Sequence, residues 1–229
     1  MKTMDDNLVR LLEAWPCCTL ATVRIVDLPE RERSFFAHFM PAARTAVVLG
    51  HHISIEEEWT WYATETGGEH CTADDHARGL CEIIKAELIQ SGHETEIVNY
   101  PGTSGLQFRF VAEAAGLGAI GLIAFLFHPA WGPWVHSRVV ATTAILDIHP
   151  TMSGDQLCNQ CMLCMTECPA GAISDGAFSG LQCRIYRKSR GEYEPYGPNG
   201  EFRYCMRCAW VCPRGQRPLE RYKRGEGEQ

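Results

Sequence analysis

The chain is 229 residues long, 45% hydrophobic and 21% charged, with 28 acidic against 21 basic side chains. That composition supplies a core and excludes a disordered chain, and the formal charge of −7 excludes a dedicated nucleic-acid binder. No run of 18 apolar residues is present to span a membrane, and the opening MKTMDDNLVRLLEAW is acidic and amphipathic without a signal-peptide core, so a cytoplasmic protein is expected.

Asp5 to Ala14 is predicted as a short helix with an aspartate at its start. TLATVRIV (19–26) is β-branched and weakly alternating, and TAVVLG (45–50) is a short apolar run; both are predicted strands. Residues 76–91 repeat Leu80, Ile83, Ile84 and Leu88 at helical spacing and stop at Gly92. ETEIVNY (94–100) is a strand, residues 105–115 a helix, and 119–127 and 135–146 are extended. Helices and strands interleave, but not every strand is flanked by a long helix. This favours an α+β layer over a doubly wound sheet. The charge then changes sign: residues 183–229 carry 11 Lys+Arg against 6 Asp+Glu, whereas residues 1–182 carry 10 against 22. A boundary is placed near 150, giving an α+β domain over 1–150 and a cysteine-rich module with a basic tail over 151–229.

Cysteine is the outlier, at 12 of 229 residues. Without an export signal a disulfide framework is the wrong reading, and metal binding is the expected use. CNQCMLCMTECP places Cys158, Cys161, Cys164 and Cys168 before Pro169. This is the bacterial ferredoxin run, in which three thiolates wrap one [4Fe–4S] cube and the fourth ligates a second. CMRCAWVCP adds Cys205, Cys208 and Cys212, and Cys183 is the spare thiol between the runs. The pairing that follows sets Cys158, Cys161, Cys164 and Cys212 on one cluster and Cys168, Cys183, Cys205 and Cys208 on the other. Structural zinc is the competing use of paired Cys-x-x-Cys, but the run of four before proline points to iron–sulfur. Cys81 is expected in the core, and Cys17, Cys18 and Cys71 are assigned no role.

Two motifs are set aside. GLGAIG (Gly116, Gly118, Gly121) matches a dinucleotide fingerprint, but a helix-like FRFVAEAA precedes it where a strand is required. DDHARG matches a corrinoid-domain motif with the wrong downstream spacing. His76 is read as lying near the start of a helix capped by Asp74 or Asp75, and not as a cobalt ligand.

With these residues in hand, residues 35–213 resemble the epoxyqueuosine reductase family, related to reductive dehalogenases. MPAARTAVVLG is similar to that family's pGARSVIVL segment, and FRFVAEAAGLGAIG to its ER-x-x-A-x-x-AGLGWIGK segment. CNQCMLCMTECPAGAI, QCRIY and CMRCAWVCP reproduce its eight cluster cysteines, Cys183 included. The resemblance implies a nitroreductase-like α+β domain holding a base-off corrinoid (cobalamin), followed by a ferredoxin-like module with two [4Fe–4S] clusters. It also implies an oxidoreductase in which electrons pass through the clusters to cobalt for a reductive cleavage. The departures are specific. Gly102 stands where the family has its acidic proton donor, Phe108 replaces a Glu while Arg109 is kept, and Leu122 replaces a Lys. The chain ends sixteen residues after Pro213, without the family's helical-repeat extension. Epoxyqueuosine is therefore not the expected substrate, and no tRNA is expected as a partner; a small molecule is.

Reductive cleavage needs a positioned acid. Tyr100, near the vacant position, is the candidate donor, and Arg109 the group that steadies an anion. His136 is a second donor candidate, and Arg138 can meet phosphate or carboxylate. The expected cofactor-binding set is Arg109, Gly116, Gly118, Gly121, His136 and Arg138. The aromatic stretches 57–62 and 125–134 can stack a flat ligand or fill a core. The basic end (Arg214, Arg217, Arg221, Lys223, Arg224) suits docking of an acidic electron donor such as ferredoxin or flavodoxin. A non-catalytic activator that reduces the corrinoid of a partner protein is the alternative, and a flavin in the cleft a third possibility.

Overall fold

A computed structural model of the chain describes residues 3–63, 69–99, 105–149, 157–174, 177–191, 201–202 and 204–219. The first helix, α1 (Met4–Glu13), begins with a capping box: the Thr3 hydroxyl accepts from the Asp6 amide and the Asp6 carboxylate accepts from the Thr3 amide. The cap is thus Thr3 and not an aspartate. β1 (Cys18–Arg24), α2 (Glu30–Phe39) and β2 (Thr45–His52) follow, then a hairpin of β3 (Trp61–Ala63) and β4 (Glu69–Cys71). Next come α3 (Thr72–Gln90), β5 (Thr95–Ile97), α4 (Phe108–Ala114), β6 (Ala119–Ile120), β7 (Leu126–Phe127) and β8 (Val135–Thr142).

The main sheet has the order β1-β2-β8-β5, and every pairing in it is antiparallel. β2 is buried along its whole length because helices cover both faces. Val47 and Leu49 point towards α1 and α3, among Leu8, Leu80, Ile84 and Leu88. Ala46 and Val48 point the other way, towards Phe36 of α2 and Val111 and Ala112 of α4. This two-sided burial explains why TAVVLG reads as a continuous apolar run. Cys81 lies in the first of these cores, as its place on the helix face requires.

One element was not anticipated and two sequence expectations are corrected. α2 carries few apolar residues among its charges, and its apolar side rests on Phe36 alone as a fully buried ring. α3 starts at Thr72, so Asp74 and Asp75 occupy its first turn and do not cap it. Residues 119–127 are a tight hairpin and not one strand: Ala124 lies at φ 57, and the Ala124 amide donates to the Gly121 carbonyl at 2.9 Å.

Beyond residue 157 the elements shorten to α5 (Leu163–Thr166), β9 (Ile173–Ser174), β10 (Ala177–Phe178), α6 (Gly180–Ser189), β11 (Glu201–Phe202) and α7 (Arg207–Trp210). This region is tied to the first. β11 pairs with β3, and the Leu219 amide donates to the Ser54 carbonyl at 2.9 Å. Gly132 and Gly215, at φ +58 and +75, meet backbone to backbone; a Cβ on Gly215 would lie 2.0 Å from the Gly132 nitrogen. A third core joins Ile53, Trp61, Phe127 and Trp134 to Ile173, Met206 and Ala209. It therefore draws residues from both sides of position 150.

Candidate functional site

The cysteine-bearing segments converge on this third core. Cys158, Cys164, Cys168, Cys208 and Cys212 all pack against it, beside Trp59, Trp210 and Met165. The local folds are those that short loops with thiols need. Gln160 and Met162, on either side of Cys161, both adopt left-handed backbone (φ 56 and 62), which curls the loop. One helical turn, α5, separates Cys164 from Cys168. α6 carries Cys183, and its first turn is capped by the Ser179 hydroxyl accepting from the Gln182 amide. α7 separates Cys205 from Cys212.

The electrostatics sort the thiols into two groups. Burial pushes the Cys164 thiol up, and Cys158, Cys161 and Cys212 beside it push it further. Burial raises Cys212 as well, with Cys161 and Cys158 as its thiol neighbours. Cys208 is driven to about 12, first by burial and then by Cys205, Cys168 and Cys183. Cys164 and Cys212 thus share the neighbours Cys158 and Cys161, and Cys208 has Cys168, Cys183 and Cys205 around it. A cation among them would remove that repulsion. The Ala172 amide donates to Cys168 Sγ at 3.4 Å, and the Glu167–Arg207 ion pair (2.9 Å) ties the two cysteine segments together.

The other expected site residues do not meet at one point. Tyr100 lies outside the described residues, as do Gly102, Arg221, Lys223 and Arg224. Arg109 donates from Nη1 to the Ala124 carbonyl at 2.9 Å, while its buried Nε has no partner among the described residues. Burial, with Arg31 nearby, lowers its pKa. Gly116 takes φ +77 just after α4. Gly118 and Gly121 serve close packing: a Cβ on Gly118 would fall 2.2 Å from the Phe127 carbonyl oxygen, and one on Gly121 2.4 Å from the Phe127 ring. Those two glycines let the β6–β7 hairpin fold onto itself.

His136 and Arg138 are buried on β8, and both are held by Asp74 of α3. His136 Nε2 lies 2.8 Å from Asp74 Oδ1, and Arg138 Nη1 donates to the same oxygen at 3.2 Å. Arg138 therefore already has its anion, and His136 faces the interior. Sequence reasoning missed Asp74. Its only signal was an acid in the first turn of an apolar helix, which ordinarily faces water. A cavity of about 590 Å³ lies elsewhere, lined by Arg31, Phe35, His38, Asn99 and Leu106 among others. Among the described residues no helix is long and apolar enough to cross a membrane.

Residues 155–174 match the family described as a 4Fe–4S binding domain, a span that contains Cys158, Cys161, Cys164 and Cys168. The chain is 26% identical over 149 residues to epoxyqueuosine reductase of Staphylococcus aureus, covering 61% of this chain and 37% of that protein. It is 25% identical over 232 residues to that of Synechocystis sp., covering 94% and 78%. Over most of the other curated relatives it likewise spans a third to a half of their length. Among solved structures, an epoxyqueuosine reductase with a modified tRNA stem loop superposes with a TM-score of 0.66 at 16% identity, over 91% of this chain and 64% of that one. A catabolic reductive dehalogenase superposes at 0.60 and 20% identity, over 85% and 29%. A reductive dehalogenase structure that suggests a mechanism for B12-dependent dehalogenation superposes at 0.53 and 19% over the same shares. These structural likenesses establish the fold. The chain is an epoxyqueuosine reductase-like protein of mixed α and β structure that carries a 4Fe–4S binding segment.

Proposed function

We propose that the chain is an iron–sulfur oxidoreductase that passes low-potential electrons through two [4Fe–4S] clusters to a corrinoid, for reductive cleavage of a small substrate other than epoxyqueuosine. The observation that carries this reading is that Cys158, Cys164, Cys168, Cys208 and Cys212 pack on one apolar core, with Cys161 neighbouring Cys164 and Cys212, and Cys183 and Cys205 neighbouring Cys208. Cys158, Cys161, Cys164 and Cys212 would hold one cluster, and Cys168, Cys183, Cys205 and Cys208 the other.

The residues fit such groups. The donor set is all soft sulfur. The buried indole N–H groups of Trp59 and Trp134 have no partner among the described residues, and the Ala172 amide already points at a cysteine sulfur. Donors of this kind tune cluster sulfur. Gly121 leaves space beside Cys158: a Cβ there would come within 3.1 Å of the Cys158 Cβ. When bound, the clusters supply one-electron transfer at low potential. The chain's own part is to exclude water with Trp61, Trp134, Phe127 and Met206, and to fix the thiols through short capped turns. An acidic donor such as ferredoxin or flavodoxin would dock on the basic end beyond Cys212, where Arg214 and Arg217 lie among the described residues.

Two readings differ in where the corrinoid sits. In the first it is held base-off on the α+β layer; the resemblance and the dehalogenase likeness support this. In the second it belongs to a partner protein that this chain reduces. A specific observation favours the second. Four of the described residues nominated for a corrinoid are engaged within the protein: Asp74 holds His136 and Arg138, and Phe127 closes on Gly118 and Gly121, whereas Arg109 keeps a buried Nε with no partner among the described residues. The 590 Å³ cavity is of small-molecule size. The absence of an acid at Gly102 supports a substrate other than epoxyqueuosine under either reading.

The test is an anaerobic paramagnetic resonance spectrum of cluster-loaded protein mixed with cob(II)alamin. A base-off cobalt signal that co-elutes with the protein establishes the first reading. Reduction of cobalamin by the dithionite-reduced protein, with no co-eluting cobalt, establishes the second. Neither binding nor reduction removes the corrinoid from the function.

A further inference from the structure

A second group of metal-ligating side chains lies at the end of the main sheet, outside the cluster cysteines. The β1–β2 register sets Cys18 directly opposite His51. The backbone at this end is pinned, with the His52 amide donating to the Cys17 carbonyl at 2.7 Å and the Cys18 amide to the Trp15 carbonyl at 2.8 Å. Cys18 Sγ lies 3.4 Å from His51 Nδ1 and 4.0 Å from Cys17 Sγ, and the three donor atoms all fall within 4.8 Å of one another. All three cysteine and histidine side chains are half-buried or buried.

The far side of the imidazole is equally defined. His51 Nε2 lies 2.8 Å from Glu58 Oε1. The other oxygen of Glu58 accepts from the Ser54 amide at 2.6 Å, from the Ile55 amide at 3.3 Å and from the Ser54 hydroxyl. A carboxylate is an acceptor, so it places the ring proton on Nε2 and leaves the Nδ1 lone pair facing the two sulfurs. In zinc sites the outer nitrogen of a ligating histidine commonly donates to a carboxylate, which fixes the ring and its tautomer.

We propose that Cys17, Cys18 and His51 form a binding site for a zinc-class divalent cation, distinct from the iron–sulfur cysteines. Distances decide for this trio. A tetrahedral ion at about 2.3 Å from sulfur and about 2.0–2.1 Å from nitrogen needs edges of about 3.8 Å (S···S) and about 3.6 Å (S···N). The observed 4.0 and 3.4 Å bracket those values within ordinary side-chain adjustment. The neighbouring trio His51, Glu58 and His76 is also compact. Its His51–Glu58 N···O separation of 2.8 Å is a hydrogen-bond length, well short of the about 3.4 Å edge that a shared tetrahedral ion requires. Three protein ligands leave the fourth position to water or a small anion, the arrangement found in zinc sites that act on a ligand.

The experiment uses the cluster-loaded full chain, prepared anaerobically with zinc supplied. Zinc and iron are counted together, and the zinc environment is read by X-ray absorption at the zinc edge. The expected result is about one zinc per chain with two sulfurs at about 2.3 Å and the remaining ligands nitrogen or oxygen. A Cys17→Ser, Cys18→Ser double variant should lose that zinc and keep its iron. Glu58→Gln should weaken zinc binding by about 10–100-fold, as loss of a second-shell partner does. Cys17→Ser alone, at a half-buried position on the sheet end, gives the same reading should the double variant fail to fold. Zinc well below one per chain overturns the proposal. So does zinc that survives both cysteine changes, and so does zinc that only His76→Ala removes, which would assign the ion to the neighbouring trio. Zinc that falls only when Cys158 or Cys208 is replaced would place the ion in the cluster thiols and also overturn it.

Discussion

The sheet layer and the cysteine region hold themselves together by different means. In residues 3–149, β2 is covered on both faces, and Leu8, Val47, Leu80, Ile84 and Leu88 are fully enclosed. Each such side chain contributes about 1.5–3 kcal/mol of burial, so this layer supports itself. In residues 157–219 the described buried apolar residues are Ala172, Ile173, Met206, Ala209 and Pro218, and two of the three helices are single turns. The rest of that region's described interior is half-buried thiols beside Leu157, Met165, Phe178, Tyr204 and Trp210. The difference teaches that the first region is ordered by its core, whereas the second is ordered by whatever its thiols hold. In small metal-binding modules the binding free energy is folding free energy.

Stripping iron with a chelator under anaerobic conditions should break this comparison most visibly. Amide hydrogen exchange should rise throughout residues 157–219 and stay low in β1, β2 and β8. Equal retention of protection in both regions would show that the cysteine region folds without metal.

Within the sheet layer the largest single effect is expected at Asp74. Removing it by Asp74→Ala leaves Arg138 and His136 buried without their anion, which costs about 3–5 kcal/mol. Denaturant unfolding measures this. The pH dependence has a definite sign. Burial alone would raise the Asp74 carboxyl, but the His136 and Arg138 contacts outweigh it and hold the group below the usual range. Its stabilisation is therefore present above about pH 3.9, the unfolded value, and is lost as pH falls through the lowered one. Asp74→Asn should remove that part of the acid transition.

A smaller effect belongs to the core itself. Leu80→Ala should lower the stability of the sheet layer by about 2–5 kcal/mol, depending on how far the site collapses, with iron content unchanged. The smallest is at the surface. Arg207→Ala breaks the exposed pair with Glu167 and should change stability by less than about 1 kcal/mol. A larger loss there, accompanied by loss of iron, would mean that the pair positions the cysteine segments.

How much of this was legible in the sequence depended on whether the signal was local. The cysteine spacings are short-range, so the runs at 158–168 and 205–212 and the spare Cys183 could be read directly. β1, β2 and α3 carry periodic apolar patterns and were found to within a few residues. α2 was missed because one buried ring among charges gives little periodicity. The hairpin at 119–127 was missed because its turn uses Ala124 in left-handed backbone, a conformation sequence does not announce at alanine. The Asp74–His136–Arg138 group joins positions more than sixty residues apart, and the closing of Gly118 and Gly121 on Phe127 depends on the hairpin between them. Such contacts exist only once the strands are paired. Cys17 and Cys18 looked purposeless for the same reason, since His51 reaches them only through the β1–β2 register.

The central claim is that two separate groups of four thiols each hold a cluster, and one change divides them. Cys183 belongs to one group and to no ferredoxin-like run. Iron and sulfide counting, with Mössbauer spectra, on the wild-type chain and Cys183→Ala tests the claim most directly. Two [4Fe–4S] clusters in the wild type and one intact cluster, with about half the iron, in the variant is the predicted result. Undiminished iron in Cys183→Ala, or loss of both clusters while the sheet layer stays folded, would contradict it.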